Sequence, residues 1–193
     1  MKKLYIVLVI MMAITFPLSA CANKPMGTPA ITAAAVTPGD PLINAVNDIR
    51  MNLGMPDLPL QSNGMDKMMN SPNGDLPVAI YVDSEGRKFS VEPQTNTVVE
   101  IDARSLLASV PANVPSISQD ELRAKALNIA RITTPNFNYL SHSLMDESGS
   151  KGDYYFFDLR MPISPNEMMP PFFQIGFDKS GYIFAYINTL SFK

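Results

Sequence analysis

Cysteine occurs once in this sequence, at position 21, and tryptophan does not occur at all. Because one cysteine cannot form an internal disulfide, the folded part of the chain depends on its own hydrophobic core. Histidine is equally rare, since His142 is the only one. No serine stands in a Gly-x-Ser-x-Gly motif, and no acidic calcium loop is present. We therefore predict that the chain is not an enzyme, has no catalytic residues and uses no cofactor.

Charge of either sign is sparse. The chain has 15 lysines and arginines against 18 aspartates and glutamates, which gives a net charge of −3. Nucleic-acid-binding proteins present basic stripes or patches to the phosphate backbone, and the sequence has no run of basic residues that could form one. Nucleic acid is therefore excluded as a predicted partner.

The longest apolar run stands near the start of the chain. Two lysines precede the segment Leu4–Pro17, whose ~14 residues suit a signal peptide and fall short of the ~18 that a spanning helix needs. The segment is followed by Leu18-Ser19-Ala20-Cys21, which resembles the lipobox of bacterial lipoproteins. This resemblance implies that residues 1–20 are a signal peptide and that Cys21 is lipidated. The alternative is an ordinary secretory signal cut after Ala20.

A lipidated Cys21 implies a place in the bacterial cell envelope, where the chain contacts the membrane through an N-terminal lipid anchor. Ala22 and Asn23 do not resemble the acidic signal that retains lipoproteins in the inner membrane, which favours the outer membrane in a Gram-negative cell. Residues 21–39 are small, proline-punctuated and almost uncharged, so they predict a flexible tether. The alternative is a first strand over 31–36.

Residues 40–193 are predicted to form an α+β body, which begins with a helix. Asp40 suits the N-cap, Pro41 suits the first helical position, and Gly54 suits the residue after the helix. The apolar residues between them recur at helical spacing and predict a buried face of Leu42, Ala45, Val46, Ile49 and Leu53.

Residues 55–74 contain prolines, asparagines and glycines without a period, and they are predicted to be a long loop. Met65, Met68 and Met69 stand close together in it, which suggests two alternatives. The three side chains fold back over the core as flexible filling, which we favour, or their thioethers bind Cu(I), as in the methionine-rich motifs of extracytoplasmic copper proteins.

Strands dominate the rest of the body. From Leu76 the apolar period is two, and the predicted three-stranded meander ends at Asp102. Ser118 and Glu121 match a capping box, so a helix is predicted to start there and to end before Pro135. Four antiparallel strands are predicted after it, over 138–145, 154–161, 172–178 and 182–190. In the strand over 138–145, His142 would lie on the same face as Leu140 and Leu144. We therefore predict that its side chain is packed and does not act as a base.

A short sequence repeat links the two parts of the body. Residues 80–89 and 175–184 match at Ile, Asp, Gly and Phe, and each contains an Asp-x-x-Gly turn. A helix followed by a meander with such a turn resembles the PepSY-like modules of secreted and lipid-anchored bacterial proteins. The resemblance implies a pseudo-repeat of 40–103 and 118–193, and the alternative is an unrelated α+β sheet domain. Because both faces of 182–190 are apolar, the two parts are predicted to share one core.

Two classes of function follow from these features. The first is a non-catalytic envelope protein that binds or inhibits a peptide or protein partner, and the PepSY resemblance implies that this partner is a peptidase or another envelope protein. The alternative is a copper-handling lipoprotein that uses Met65, Met68 and Met69.

Overall fold

The computed structural model of this chain describes residues 39–68, 71–72, 74–111, 113–163, 165 and 169–191. The predicted signal peptide, Cys21, the tether up to residue 38 and Met69 lie outside these residues. Among the described residues, no helix is both long enough and apolar enough to cross a lipid bilayer.

Two groups of elements follow one another along the chain, each beginning with a long helix. The helices are α1 (Pro41–Leu53), α2 (Gln119–Thr133) and the single-turn α3 (Phe137–Leu140), with 3-10 helices at Arg104–Ser109 and Ser141–Ser143. The strands are β1 (Leu60–Met68), β2 (Leu76–Asp83), β3 (Lys88–Glu92), β4 (Thr97–Asp102), β5 (Met145–Asp146), β6 (Gly149–Lys151), β7 (Tyr154–Arg160), β8 (Phe172–Asp178) and β9 (Ile183–Asn188).

The nine strands of the described part form one sheet in the order β1-β2-β3-β4-β9-β8-β7-β5, and β6 also pairs with β7. Every pairing is antiparallel, which confirms the predicted α+β class. The last strands of the two groups, β4 and β9, pair at the centre, where Ile101 lies opposite Tyr186. The two groups are therefore two halves of a single sheet.

Helix α1 begins and ends as its sequence predicts. The Asp40 carboxylate accepts a hydrogen bond from the Leu42 amide at 2.9 Å, and Gly54 closes the helix at a φ of 67°. The Gly54 amide donates to the Met51 carbonyl and the next amide donates to the Arg50 carbonyl, which is the Schellman pattern. The buried face differs slightly from the predicted one and consists of Ile43, Val46, Ile49, Arg50 and Leu53.

Helix α2 has the predicted capping box. The Glu121 amide donates to the Ser118 hydroxyl at 3.3 Å, and the Ser118 amide donates to the Glu121 carboxylate at 3.0 Å. The helix ends at Thr133, two residues before Pro135, whose ring would clash with a continuing helix. Its buried stripe consists of Leu122, Ala126, Ile129 and Ala130, and Thr133 is half-buried.

One hydrophobic core joins the two long helices to the same face of the sheet. It includes residues of both halves, such as Val46, Phe89, Ile101, Ala126, Phe157, Phe173 and Tyr186. Phe173 lies between two aromatic neighbours, with its ring centroid 5.6 Å from that of Tyr186 and 6.0 Å from that of Phe157. Because these contacts run across both halves, the two halves share this core, as the apolar faces of 182–190 predict.

The prediction of a loop over 55–74 was wrong for residues 60–68, which form strand β1. This strand is paired on one side only, with β2, and most of its side chains are exposed. Its stability therefore comes from backbone hydrogen bonds, which need no alternation of apolar residues. Gly64, with a φ of 81°, lies where the register shifts between Ser62 and Met65, so the strand also contains a bulge.

The prediction of a strand over 138–145 was also wrong for residues 138–144, and only Met145 of that range lies in a strand, β5. Asn136 adopts a φ of 57°, and its carbonyl accepts hydrogen bonds from the Tyr139 and Leu140 amides, which starts a new helical turn. Phe137 at the beginning of that turn is buried and anchors it to the core. His142 consequently lies exposed in a 3-10 helix and does not share a strand face with its neighbours.

Candidate functional site

The Asp83 turn joins β2 to β3 and is fixed by its own aspartate. The Asp83 carboxylate accepts hydrogen bonds from the Glu85 and Arg87 amides, both at 3.0 Å. Gly86 has a φ of 92°, a conformation that side chains with a Cβ rarely adopt, and its amide donates to the Asp83 carbonyl at 2.9 Å. The aspartate and the glycine of the motif therefore have separate roles in closing the turn.

The Asp178 turn joins β8 to β9 in the same way. The Asp178 carboxylate accepts from the Ser180 and Tyr182 amides, both at 2.9 Å. Gly181 has a φ of 81°, and its amide donates to the Asp178 carbonyl at 3.0 Å. The sequence repeat at 80–89 and 175–184 thus corresponds to two turns with the same hydrogen-bond pattern.

The two turns lie at the same end of the sheet. Asp102, at the end of β4, is paired with Lys88 on one side and with Ala185 on the other. Since Lys88 directly follows the first turn and Ala185 shortly follows the second, only β4 separates them. Arg87 and Tyr182, which hold the same position in the two copies of the repeat, line the same two cavities there.

Arg87 is a buried cation between two carboxylates. Its side chain is 5% exposed, and its Nη1 donates at 2.6 Å to Asp83, whose side chain is fully buried. Its Nη2 donates to the half-exposed Glu85. Burial by itself lowers the pKa of Arg87, but the nearby Tyr182 hydroxyl and the two carboxylates outweigh that effect and raise it. The guanidinium therefore stays charged.

Hydrogen bonding around Arg87 is nevertheless incomplete. The Arg87 Nε and the Tyr182 hydroxyl are both buried, and neither has a hydrogen-bond partner of acceptable geometry among the described residues. The hydroxyl lies close enough to affect the pKa of Arg87 without making an aligned bond. Buried polar groups are nearly always paired in folded proteins, so these two atoms mark an unusual point in the fold.

A cavity of about 580 Å³ opens beside the two turns. Its apolar wall consists of Leu106, Val110, Pro111 and Val114, and its polar wall consists of Glu85, Arg87, Ser109, Ser180 and Tyr182. In the part of the chain that the structure describes, the lining includes neither histidine nor cysteine. An apolar space of this size with a few polar groups on one side is typical of a binding site.

The apolar wall comes from the segment between β4 and α2, which is held at both ends. At its start the Ala103 amide donates to the Phe184 carbonyl of β9 at 2.9 Å, and at its end the Ile117 amide donates to the Lys179 carbonyl at 2.8 Å. The segment therefore runs from the end of β4 to the second turn. Helix α2 adds a further tie, since the Lys125 ammonium donates to the Gly181 carbonyl at 2.9 Å.

Met65 and Met68, the two described methionines of the three singled out in the sequence, do not converge. Met65 pairs with Ala79, which belongs to the helix-side core, whereas Met68 pairs with Leu76, which packs on the other face of the sheet. Directly opposite residues of an antiparallel pair share a face, so Met65 and Met68 point to opposite sides. Met65 is 64% exposed and Met68 is 6% exposed. In the described part of the chain, no three His, Cys, Asp or Glu side chains are grouped to hold a metal.

Sequence reasoning did not identify Arg87 or Tyr182 as site residues. The one available signal was that they are aligned in the repeat, each directly after the turn glycine. Their meeting depends on the strand order β3-β4-β9, which no local pattern specifies. Comparisons of the chain with protein-family profiles, with curated proteins and with solved structures found no match.

Proposed function

We propose that this protein is a lipid-anchored, non-catalytic binding module of the bacterial cell envelope and that its partner is a peptide or a protein, with a peptidase as the first candidate. The observation that carries the proposal is the cavity beside the two Asp-x-x-Gly turns, where an apolar wall faces the Arg87 and Tyr182 side chains.

Several features of the cavity favour binding over chemistry. Its walls are held by two turns with matching hydrogen bonds and by a segment fixed at both ends. A site built on such supports binds without much loss of conformational entropy. The guanidinium of Arg87 is already paired with Asp83 and Glu85, and the described lining residues include no histidine or cysteine that could act as a base or nucleophile.

The lipid anchor is supported by the lipobox-like residues that end at Cys21. We expect Cys21→Ser to abolish membrane retention without unfolding the body, because acyl chains contribute ~0.8 kcal/mol per buried CH₂. The test is fractionation of cells that express either form, followed by a high-salt wash of the membranes. A processed Cys21→Ser protein that still sediments with washed membranes would contradict the anchor.

Binding at the cavity is tested by site-specific photocrosslinking in the cells that make the protein. A photoreactive residue at Val114, on the apolar wall, is expected to give a discrete protein adduct. The matched control carries the same residue at Asn128, an exposed position of α2. The Val114 adduct should disappear when Val110→Trp narrows the cavity. The same adducts from both positions, or none from Val114, would rule out the cavity as the binding site.

A further inference from the structure

The apolar wall of the cavity requires an apolar occupant. Leu106, Val110, Pro111 and Val114 offer aliphatic surface and no hydrogen-bonding side chain. A volume of about 580 Å³ lies within the range of roughly 300–1,000 Å³ in which small ligands are held. Removing such surface from water is favourable only if the group that enters is itself apolar.

The charged residues that line the cavity are Arg87 and Glu85, and they form an ion pair. The Arg87 side chain is only 5% exposed and is also paired with Asp83, which lies behind it and outside the lining. The buried Asp83 carboxylate is already bonded to Arg87 and to the amides of its own turn, whereas the Glu85 side chain is 50% exposed. Glu85 is therefore the charge that a ligand meets at the rim, and it attracts a cation and repels a carboxylate or phosphate.

We propose, building on the function proposed above, that the cavity takes a large aliphatic or aromatic side chain from an extended peptide segment in which the neighbouring residue is lysine or arginine. The apolar side chain lies against Leu106, Val110 and Val114, and the basic group pairs with the Glu85 carboxylate at the rim. Both parts are needed, because an exposed ion pair alone contributes little and the apolar wall alone does not select a sequence.

The proposal is tested with three amidated, fluorophore-labelled nonapeptides that share a glycine–serine background. Their central pairs are Arg-Leu, Glu-Leu and Arg-Ser, and their binding to the full chain is measured by fluorescence anisotropy. We expect the Arg-Leu peptide to bind at least tenfold more tightly than either of the other two. Glu85→Gln should reduce the preference for Arg-Leu over Glu-Leu to less than threefold, and Val110→Trp should weaken Arg-Leu binding at least tenfold.

Glu147→Gln is the matched control, because the Glu147 side chain is 54% exposed and also pairs with an arginine, Arg160, away from the cavity. It should leave all three affinities unchanged, and urea unfolding checks that each variant is folded. Equal binding of the Arg-Leu and Glu-Leu peptides, or a preference that survives Glu85→Gln, would overturn the inference. So would the absence of peptide binding while the Val114 crosslink persists in cells, and the proposed function would then stand. Loss of that crosslink as well would remove both.

Discussion

In the hairpin β2–β3, Phe89 is completely buried in the core beneath the helices, whereas Phe184, at the matching position of β8–β9, packs against Tyr154 and Phe156 on the other face. The isoleucines of the two copies differ in the same way. Ile175 lies in the helix-side core, whereas Ile80 lies with Val78 and Val99 in a smaller apolar cluster on the other face of the sheet. Two hairpins with the same turn therefore present their matched residues to opposite faces of one sheet.

The strand order explains this exchange of faces. Across the sheet, the first hairpin runs β2 then β3, and the second runs β9 then β8, while both turns lie at the same end. A hairpin that reverses its strand order but keeps its turn end has been rotated by half a turn about its long axis, which exchanges its two faces. The Asp-x-x-Gly motif thus specifies a local turn, and the neighbouring strands decide which face is buried.

The largest effect is expected from the two matched phenylalanines. Phe89→Ala and Phe184→Ala should each lower the free energy of unfolding by about 3–5 kcal/mol, because both rings are buried and their loss leaves cavities. Urea unfolding followed by circular dichroism measures this, and Phe→Leu at each position is the control. A loss below about 1 kcal/mol for Phe184→Ala would mean that the second face is not a packed cluster.

The two turn aspartates should differ although their backbone roles agree. Asp83→Asn keeps an acceptor for the turn amides but leaves Arg87 with only the half-exposed Glu85, so we expect a loss of about 3 kcal/mol. Asp178→Asn keeps the same acceptor and faces no guanidinium hydrogen bond, so a loss below about 1 kcal/mol is expected. Equal losses in urea unfolding would show that the ion pair contributes nothing beyond the turn.

Gly176 is the counterpart of Tyr81 in the repeat, and its lack of a side chain makes room for Phe184. A Cβ at Gly176 would lie 2.7 Å from the Cζ of Phe184, so Gly176→Ala should cost about 1–3 kcal/mol. Gly149→Ala is the control, since a Cβ there meets nothing within 4 Å. In a Phe184→Leu background the cost of Gly176→Ala should fall by at least about 0.5 kcal/mol, and an additive double mutant would argue against the contact.

Much of the fold could be predicted where short-range rules decide the structure. The caps at Asp40 and Ser118, the turns at Asp83 and Asp178 and the break before Pro135 all depend on residues within a few positions of one another. Strand β1 escaped prediction because its side chains are exposed and its partner supplies the pairing. Residues 138–145 were predicted wrongly because Leu140, His142 and Leu144 alternate as in a strand. The buried Phe137 instead anchors a helical turn there.

The candidate site could not be predicted for a different reason. Arg87 and Tyr182 are 95 positions apart, by subtraction of their residue numbers, and they meet only because β4 and β9 pair at the centre of the sheet. The repeat aligned the two residues, but it did not indicate that the two turns would lie side by side. The two hairpins also take different places within their halves. Hairpin β2–β3 comes before β4, the last strand of the first half, whereas hairpin β8–β9 contains β9, the last strand of the second half.

The helices of the two halves are tied to their neighbours by different arginines, and the contact of the second helix should weaken in acid. Arg50 binds mainly backbone carbonyls, at Pro56 and Leu58, whereas Arg123 pairs with Asp146 of β5. Burial tends to raise the pKa of Asp146, but hydrogen bonds from Arg123 and Ser148 outweigh it and lower the pKa from 3.8 to about 2. The pair therefore stabilises the fold above the ordinary pKa, and that contribution is lost as the pH falls towards 2.

The ion pair between Arg123 and Asp146 should add no more than about 1 kcal/mol to the free energy of unfolding at neutral pH, because the Asp146 side chain is 36% exposed. Urea unfolding of the wild type and of Asp146→Asn at several pH values measures it. The difference in free energy between them should be constant above pH 5 or so and should shrink between about pH 4 and pH 2. A difference that does not change over this window would show that Asp146 titrates normally in the folded protein.

The smallest change in the free energy of unfolding is expected at Tyr182, which follows the glycine of the second turn and lies beside Arg87 of the first. Tyr182→Phe removes a buried hydroxyl that makes no aligned hydrogen bond to any described residue, which relieves the cost of keeping it out of water. It also removes the oxygen that raises the pKa of Arg87, which disfavours the buried cation. Because these two consequences oppose each other, the free energy of unfolding should change by less than about 0.5 kcal/mol. A loss above about 1.5 kcal/mol would instead identify the hydroxyl as a true partner of Arg87, and the first turn would then depend on the second for its buried charge.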